Sequence, residues 1–478
     1  MKKYALLAGL GTALVCGGWA QTLTLEQALA ALGGGPDLGA VEANLAAARA
    51  SDAQNQARAG LSVASSLGWS IAEGYNDPAA PFKLGTIAAR ATPPTSTSIA
   101  DGLLPQQATG SVSLSTPVTS LNLTGSDTFQ TNPNGTLLNT TTVGASLSQT
   151  LLAGYFGGAT QAAADKSTVG WQTAQLTAQA NRAKAVLTLK TDYFTLLSAQ
   201  DKVDLYVLTL AQRQDAFKFL QAKAATGTAT AYDLKVAQAA VRSSELDLAG
   251  GRAALDTARQ RLINLLGLPA AAPLKVLPAT VDAPAATLDE AIQTALTQRI
   301  EIQNAALAAR SSAIDAALAA GAIVPTVVLT GGVNYTTGNA ATTTSTSTSS
   351  SVVGTVGVKI TPPTVDSGLA SNQALQARTL QNLSLAQADQ LKRSIPVDVT
   401  DAWATWQLNG QRLQLARDLV DNADVNRQIL KSQFDSGVKL IADWLNAEVA
   451  YSTAQLNVVN ALLSWQLSAA TLQNLMGR

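Results

Sequence analysis

Apolar positions along this chain follow two periods, and the switch between them divides it into elements. From Leu25 to about Ala59, and again from Leu288 to about Ala322, the spacing predicts helix, interrupted in the first case at Gly33-Gly34-Gly35-Pro36. At Leu61 the period becomes two. Leu61, Val63, Leu67, Trp69 and Ile71 alternate with Ser62, Ala64, Ser66, Gly68 and Ser70. Val143 to Leu151 alternates in the same way, as do Val327, Leu329, Val333 and Tyr335, and then Val352, Val356, Val358 and Ile360. The pattern predicts four strands of about ten residues, apolar on one face and small and polar on the other. That length and pattern suit a membrane β-strand, and equally a half-buried soluble hairpin.

Long helical runs follow the strands. No proline occurs between Pro133 and Pro269, and helix formers fill 159–226 and 231–266. A second pair covers about 369–436 and 441–476, with Pro396 marking an expected kink. Helices of this length in a chain poor in aromatics are expected to pack as coiled coils. The segments between strands are of low complexity. Residues 75–142 and 340–351 are rich in Ser and Thr and read as solvated loops, although Val112-Ser113-Leu114 and Leu121-Asn122-Leu123 are able to extend a strand.

The same order of elements appears twice. Gly227–Gly267 aligns with Gly437–Gly477 at a constant offset of 210 over 41 residues, pairing Asp233 with Asp443, Leu262 with Leu472 and Asn264 with Asn474. Upstream, Tyr193 pairs with Trp403. Thr24-Leu25-Glu26-Gln27 resembles Thr287-Leu288-Asp289-Glu290, each a capping box. The chain therefore divides into a first repeat at 21–267, a Pro-rich linker at 268–286 and a second repeat at 287–478.

Composition narrows the function classes. Residues 1–20 read as a signal peptide, with Lys2 and Lys3, an apolar run and a small-x-small site at Gly18-Trp19-Ala20. Cys16 lacks the flanking residues of a lipidation site, and cleavage after Ala20 removes this only cysteine. There is no histidine, and methionine stands only at positions 1 and 476, so no cofactor or metal centre is expected. Lys and Arg number 32 and Asp and Glu 32, with no basic patch, which argues against nucleic acid. No motif of an enzyme is present. No later segment has the ~20 apolar residues of a spanning helix, so the mature chain is either soluble or part of a membrane β-barrel.

Four strands do not close a barrel, and lipid does not tolerate an open sheet edge. Two copies supply eight strands and three supply twelve, and twelve strands with small inward residues leave a pore. The opening Leu23-Thr24-Leu25-Glu26-Gln27-Ala28-Leu29, the duplicated helix–strand–strand–helix order and the Gly-x5-Asp element of each repeat resemble the TolC family of outer-membrane efflux proteins.

The resemblance implies a mainly α fold with a small membrane β-part. It further implies a homotrimer with one twelve-stranded barrel in the outer membrane and a helical tunnel in the periplasm. The partners it implies are a periplasmic adaptor and an inner-membrane pump, and the role a passive exit duct for efflux or type I secretion. A coiled-coil envelope spacer or a surface adhesin remains the alternative reading.

By the same resemblance, Gly227 and Gly437 stand at helix-hairpin tips that engage the adaptor. Asp233, Asp443, Asn446, Lys439 and Phe434 stand at the periplasmic entrance. Asp233 also completes the capping box Thr230-Ala231-Tyr232-Asp233, an alternative to a gating role, whereas Leu440 at the second cap position explains Asp443 less well. Asn446, Lys439 and Phe434 replace an acid, an Arg and a Tyr of the family pattern, so a weaker polar latch is expected. Trp69, Tyr155 and Tyr335 are candidates for the membrane interface or for ordinary strand packing.

Overall fold

The computed structural model describes residues 21–32, 36–71, 106–131, 136–226, 229–269, 274–281, 283–284, 287–342, 345–363, 366–436 and 438–477. The expected signal peptide with Cys16, the hairpin-tip residues Gly227 and Gly437, and the stretch 72–105 lie outside them. The chain forms two compact units. One contains Thr173–Ala306 and Ala386–Arg478 with the N-terminal residues to Ala46, and the other Ala47–Gln172 and Leu307–Leu385.

The first unit is helical. It contains α1 (Leu25–Leu32), α4 (Ala231–Leu266), α5 (Leu288–Gln298), α8 (Ile441–Leu475) and most of the long helices α3 (Gly158–Ala225) and α7 (Leu369–Asp435). The capping box at the start of α1 is formed: Gln27 N–H donates to Thr24 Oγ1 at 3.2 Å, and Thr24 N–H to Gln27 Oε1 at 3.0 Å. At α5 the Glu290 amide donates to Thr287 Oγ1 at 3.2 Å.

The repeat is visible in the packing. Ala28 and Leu262 are fully buried in one core cluster, and their counterparts Ala291 and Leu472 are fully buried in another. Gly267 and Gly477 both adopt left-handed backbone, at φ 66° and 81°, where glycine ends a helix without a Cβ clash.

Two short strands join this unit's core. β1 (Gln21–Leu23) pairs in parallel with β6 (Leu274–Val276), which lies inside the Pro-rich linker. The Tyr193 hydroxyl closes on the pair, 3.0 Å from the Leu23 carbonyl and 2.7 Å from that of Leu277. Three residues are too few for a period to register, so neither strand is legible in the sequence. The predicted helix 288–322 breaks at Arg299, whose backbone is extended (φ −61°, ψ 126°), and continues as α6 (Ile300–Gly321). α7 runs on through Pro396.

The second unit carries one antiparallel sheet, with α2 (Pro36–Ala59) and α6 among its helices. The sheet corrects the strand count. Among the described residues it has six strands rather than four, in the order β2 (Ser62–Ile71), β3 (Gln106–Ser115), β4 (Thr119–Thr131), β5 (Leu137–Leu152), β7 (Thr326–Ala341) and β8 (Thr346–Thr361). Much of the expected loop 75–142 is therefore strand, and so is most of 340–351. Ser- and Thr-rich composition suggested solvated loop, but Thr is β-branched and strand-compatible. Small hydroxyl residues also suit the polar face of a two-sided sheet.

Where this sheet meets its helices the backbones touch. A Cβ placed on Gly154 would lie 2.0 Å from the Gly321 Cα, so both positions require glycine.

Candidate functional site

Two regions carry the candidate residues. The first is the end of the helical unit where α3 turns into α4 and α7 into α8. Here Ala216, Leu220, Ala237, Phe434, Ile441, Trp444 and Leu445 form a buried cluster. Phe434 stacks on Trp444 with ring centroids 5.4 Å apart and 15° between planes, and meets Phe219 edge-on at 6.2 Å. The Lys223 ammonium sits 4.8 Å from the Phe219 centroid and 4.7 Å from that of Phe434. The position expected to lack a polar link thus anchors an aromatic contact between the two helical hairpins.

Beside it lies a charged network. Arg427 donates to Asp424 at 2.6 Å and to Glu448 at 3.2 Å, and the Trp444 indole N–H reaches the same Glu448 oxygen at 3.3 Å. Arg427 also lies 4.6 Å from the Tyr451 ring centroid. Burial alone would lower the Arg427 pKa, but its hydrogen bond to Asp424 and the charge of Glu448 raise it, so it is a fixed cation. The sequence offered one signal for this network, the spacing of Arg427 three residues after Asp424 on one helix face. Glu448 and Trp444 are added by the return of α8 along α7.

The expected entrance residues separate into different settings. Asp233 completes its capping box: its carboxylate accepts from Thr230 N–H at 2.9 Å and from the Thr230 hydroxyl at 2.6 Å, while its own amide donates to Thr230 Oγ1 at 3.1 Å. Asp443 lies four residues after Lys439, 4.0 Å from its ammonium, and both are roughly half exposed. Leu440 caps this helix with no side-chain hydrogen bond. Asn446 is exposed. Two carboxylates at equivalent sequence positions are therefore held differently, one by a helix start and one by a surface lysine.

The second region is the sheet face. Register places Val63, Leu114, Leu121, Leu147, Gly331 and Val356 in one cross-strand row. Ser65, Val112, Leu123, Ala145, Val333 and Gly354 form the next, and Leu67, Gly110, Gly125, Val143, Tyr335 and Val352 the one after. The large apolar members are exposed apart from Leu114, which is half-buried. A contiguous exposed apolar face of this extent marks contact with a partner or a membrane.

The opposite face is mainly Ser, Thr, Asn and Gly, with Ala64, Leu138, Val328 and Val353 among them and Lys359 near one end. Tyr335 lies in the third of these rows and is exposed, and Thr337, Asn339 and Ala341 follow it on the same face of β7. Tyr155 follows β5 and donates to Asp165 at 2.5 Å; burial, then this carboxylate, pushes its pKa up to about 12. Trp69 is paired through its backbone with Ala108, and its side chain lies outside the described residues.

Among the described residues no helix is long and apolar enough to cross a membrane, and no acidic or sulfur cluster could hold a metal. No curated protein sequence matches the chain.

Solved structures do match it. The outer membrane protein VceC of Vibrio cholerae aligns at 17% identity with a TM-score of 0.67, covering 95% of this chain and 96% of that one. The outer membrane channel CmeC of Campylobacter jejuni aligns at 15% identity and 0.64, covering 95% and 85%. The open MtrE outer membrane channel of Neisseria gonorrhoeae aligns at 17% and 0.63, covering 95% and 88%. The sequence model described as outer membrane efflux protein matches residues 110–268 and 291–478, one segment in each repeat. The mainly helical fold, the exposed apolar sheet and this match over most of the chain lead to one conclusion: the chain belongs to the outer membrane efflux protein family and resides in the bacterial outer membrane, extending into the periplasm.

Proposed function

We propose that three copies of this chain form a passive exit duct. Solutes or proteins would pass from a periplasmic adaptor and an inner-membrane pump to the exterior, in a tripartite efflux or type I secretion system. The observation that carries the reading is the two-faced sheet: an exposed apolar face suited to lipid, backed by a face of hydroxyls and glycine suited to water. Neither a periplasmic spacer nor an adhesin needs such an apolar face. The duct performs no chemistry; energy comes from the pump, and selection of cargo lies there as well.

In this reading the turns at Gly227 and Gly437 meet the adaptor, and the cluster around Phe434 and Trp444 holds the entrance. Asp443 and Lys439, exposed beside it, set the charge met by entering ions, with Asn446 one helical turn further on. Asp233 serves mainly as a helix cap. The test is single-channel conductance of the detergent-purified trimer in planar bilayers. Asp443→Ala should lower cation selectivity without loss of the trimer, and Phe434→Ala should raise the open probability. A water-soluble oligomer with no conductance would overturn the duct. Normal conductance in both variants would remove the gating roles and leave the duct.

A further inference from the structure

Building on the duct reading, we propose that Lys359 sets the charge preference of the sheet's water-facing side, where three copies of the chain would place three ammonium groups that favour anions over cations.

The strand itself fixes which way this lysine points. β8 alternates Val356, Val358 and Ile360 on the apolar face with Thr355, Gly357 and Lys359 on the other. Val358 and Ile360, on either side of Lys359 in sequence, are 60% and 65% exposed. With these two turned to lipid, Lys359 stands in water. The reverse orientation would put an ammonium in hydrocarbon and the apolar branches in water, and would lose on both counts. Register sets Lys359 opposite Val328, which pairs in turn with Thr150, so no acid lies beside it along the ladder.

The surroundings leave this charge uncompensated. Among the described residues of the six strands, Asp127 and Lys359 alone are charged. Asp127 belongs to the other face: it stands two residues after Gly125 in β4 and accepts from the Thr141 hydroxyl at 2.8 Å. The other described acids of this unit are engaged as well. Asp52 accepts from Ser167 at 3.0 Å and Thr168 at 3.3 Å, Asp165 from Tyr155 at 2.5 Å and Gln161 at 2.9 Å, and Asp315 from Lys166 at 2.9 Å. Asp366 accepts from the Ala370 amide at 2.8 Å, at the start of α7. None of these five acids pairs with Lys359, which is exposed.

A fixed charge on the wall of a water-filled lumen acts by partition. Rings of lysine favour anions as rings of carboxylate favour cations, and substitutions on the lumen side of a barrel tune its selectivity. For an ion about 10 Å from each of three ammonium groups, attraction screened over the ~10 Å Debye length of 0.1 M salt enriches an anion about twofold and depletes a cation about twofold. The permeability ratio then shifts about fourfold, and at 1 M salt, where the Debye length is ~3 Å, the shift disappears. Its sign is opposite to that of the entrance acid Asp443, so the two residues are separable by the direction of their effects. Choice of cargo stays with the pump; Lys359 biases the charge of what dwells in the lumen.

The experiment uses the full-length trimer in planar bilayers under a potassium chloride gradient, the reversal potential giving the potassium-to-chloride permeability ratio. The chain's one cysteine, Cys16, lies in the expected signal peptide, so Lys359→Cys introduces a single thiol into the mature chain. This substitution should raise the ratio about fourfold at 0.1 M salt. Reaction with a membrane-impermeant anionic methanethiosulfonate should raise it further, and reaction with a cationic one should return it to that of the unaltered protein; at 1 M salt neither should matter. The same folded protein is read before and after modification, so misfolding does not imitate the effect. An unchanged ratio after labelling verified by mass, or a thiol that reacts only with a lipid-soluble maleimide, overturns the inference while leaving the duct intact. A protein without conductance overturns the duct and this inference with it.

Discussion

The two repeats agree in their helical cores and part company at both ends. In the core, Ala28 and Ala291 and then Leu262 and Leu472 are buried alike, and Gly267 and Gly477 end their helices with the same left-handed turn. At the sheet, among the described residues, the first repeat contributes four strands and the second two. At the hairpin end the stacked pair Phe434 and Trp444 corresponds to Ala224 and Leu234, and the Arg427–Asp424–Glu448 network to Phe217, Gln214 and Gln238. Duplication preserves what packing demands and leaves free what lies at the ends. A core position accepts few side chains, whereas at this end the second repeat has built its own buried contacts, in which Glu448 is paired with Arg427 and Trp444.

The most forceful way to break this comparison is to empty equivalent core positions. Leu262→Ala and Leu472→Ala should each cost ~2–5 kcal/mol by leaving a cavity, and the two losses should resemble one another. Thermal and denaturant unfolding in detergent measures both. A large loss in one and almost none in the other would break the equivalence.

Next is the glycine contact below the sheet. Gly154→Ala forces a Cβ into the Gly321 backbone and should cost ~1–3 kcal/mol or more, seen as reduced yield of heat-stable oligomer.

The caps give a smaller and opposite pair. Thr230→Ala removes a formed capping box and should cost ~0.5–2 kcal/mol. Leu440→Thr supplies a cap where none exists and should gain up to ~1 kcal/mol, drawing Asp443 from Lys439 toward the helix start. Unchanged stability in both would show that neither helix start limits folding.

The smallest effect concerns acids of the first repeat. Burial, and then the charge of Asp204, raises the pKa of Asp201, whereas the second repeat has the neutral Gln411 and Gln414 at the equivalent positions. An acid whose folded pKa is raised favours the folded state below its unfolded pKa, and that contribution is lost as pH rises through the folded value. Asp201→Asn should therefore raise the melting temperature at neutral pH. The gain should vanish as pH falls below the ordinary value of 3.8.

Much of this was legible without coordinates. The period of 3.6 and the Gly and Pro punctuation located the four longest helices, though not the break at Arg299, because helices are specified by residues close in sequence. The alternation starting at Leu61, Val143, Val327 and Val352 located four strands. The other two were hidden in Ser- and Thr-rich sequence, since Val112, Leu114, Leu121 and Leu123 are too few to outweigh composition when read alone. Only pairing with β2 and β5 shows that their small residues face one side and their large ones the other.

The same division holds at the hairpin end. The capping box of Thr230 and Asp233 and the i,i+4 spacing of Lys439 and Asp443 are local and were readable. The stack of Phe434 on Trp444, the ammonium of Lys223 over Phe219 and Phe434, and the closing of Glu448 on Arg427 join separate helices. Sequence by itself determined the elements, the duplication and the two-faced strands, because those depend on neighbours a few residues apart. Tertiary structure alone decided how the described strands share the sheet and which side chains meet where the long helices turn, because those contacts join residues that only folding brings together.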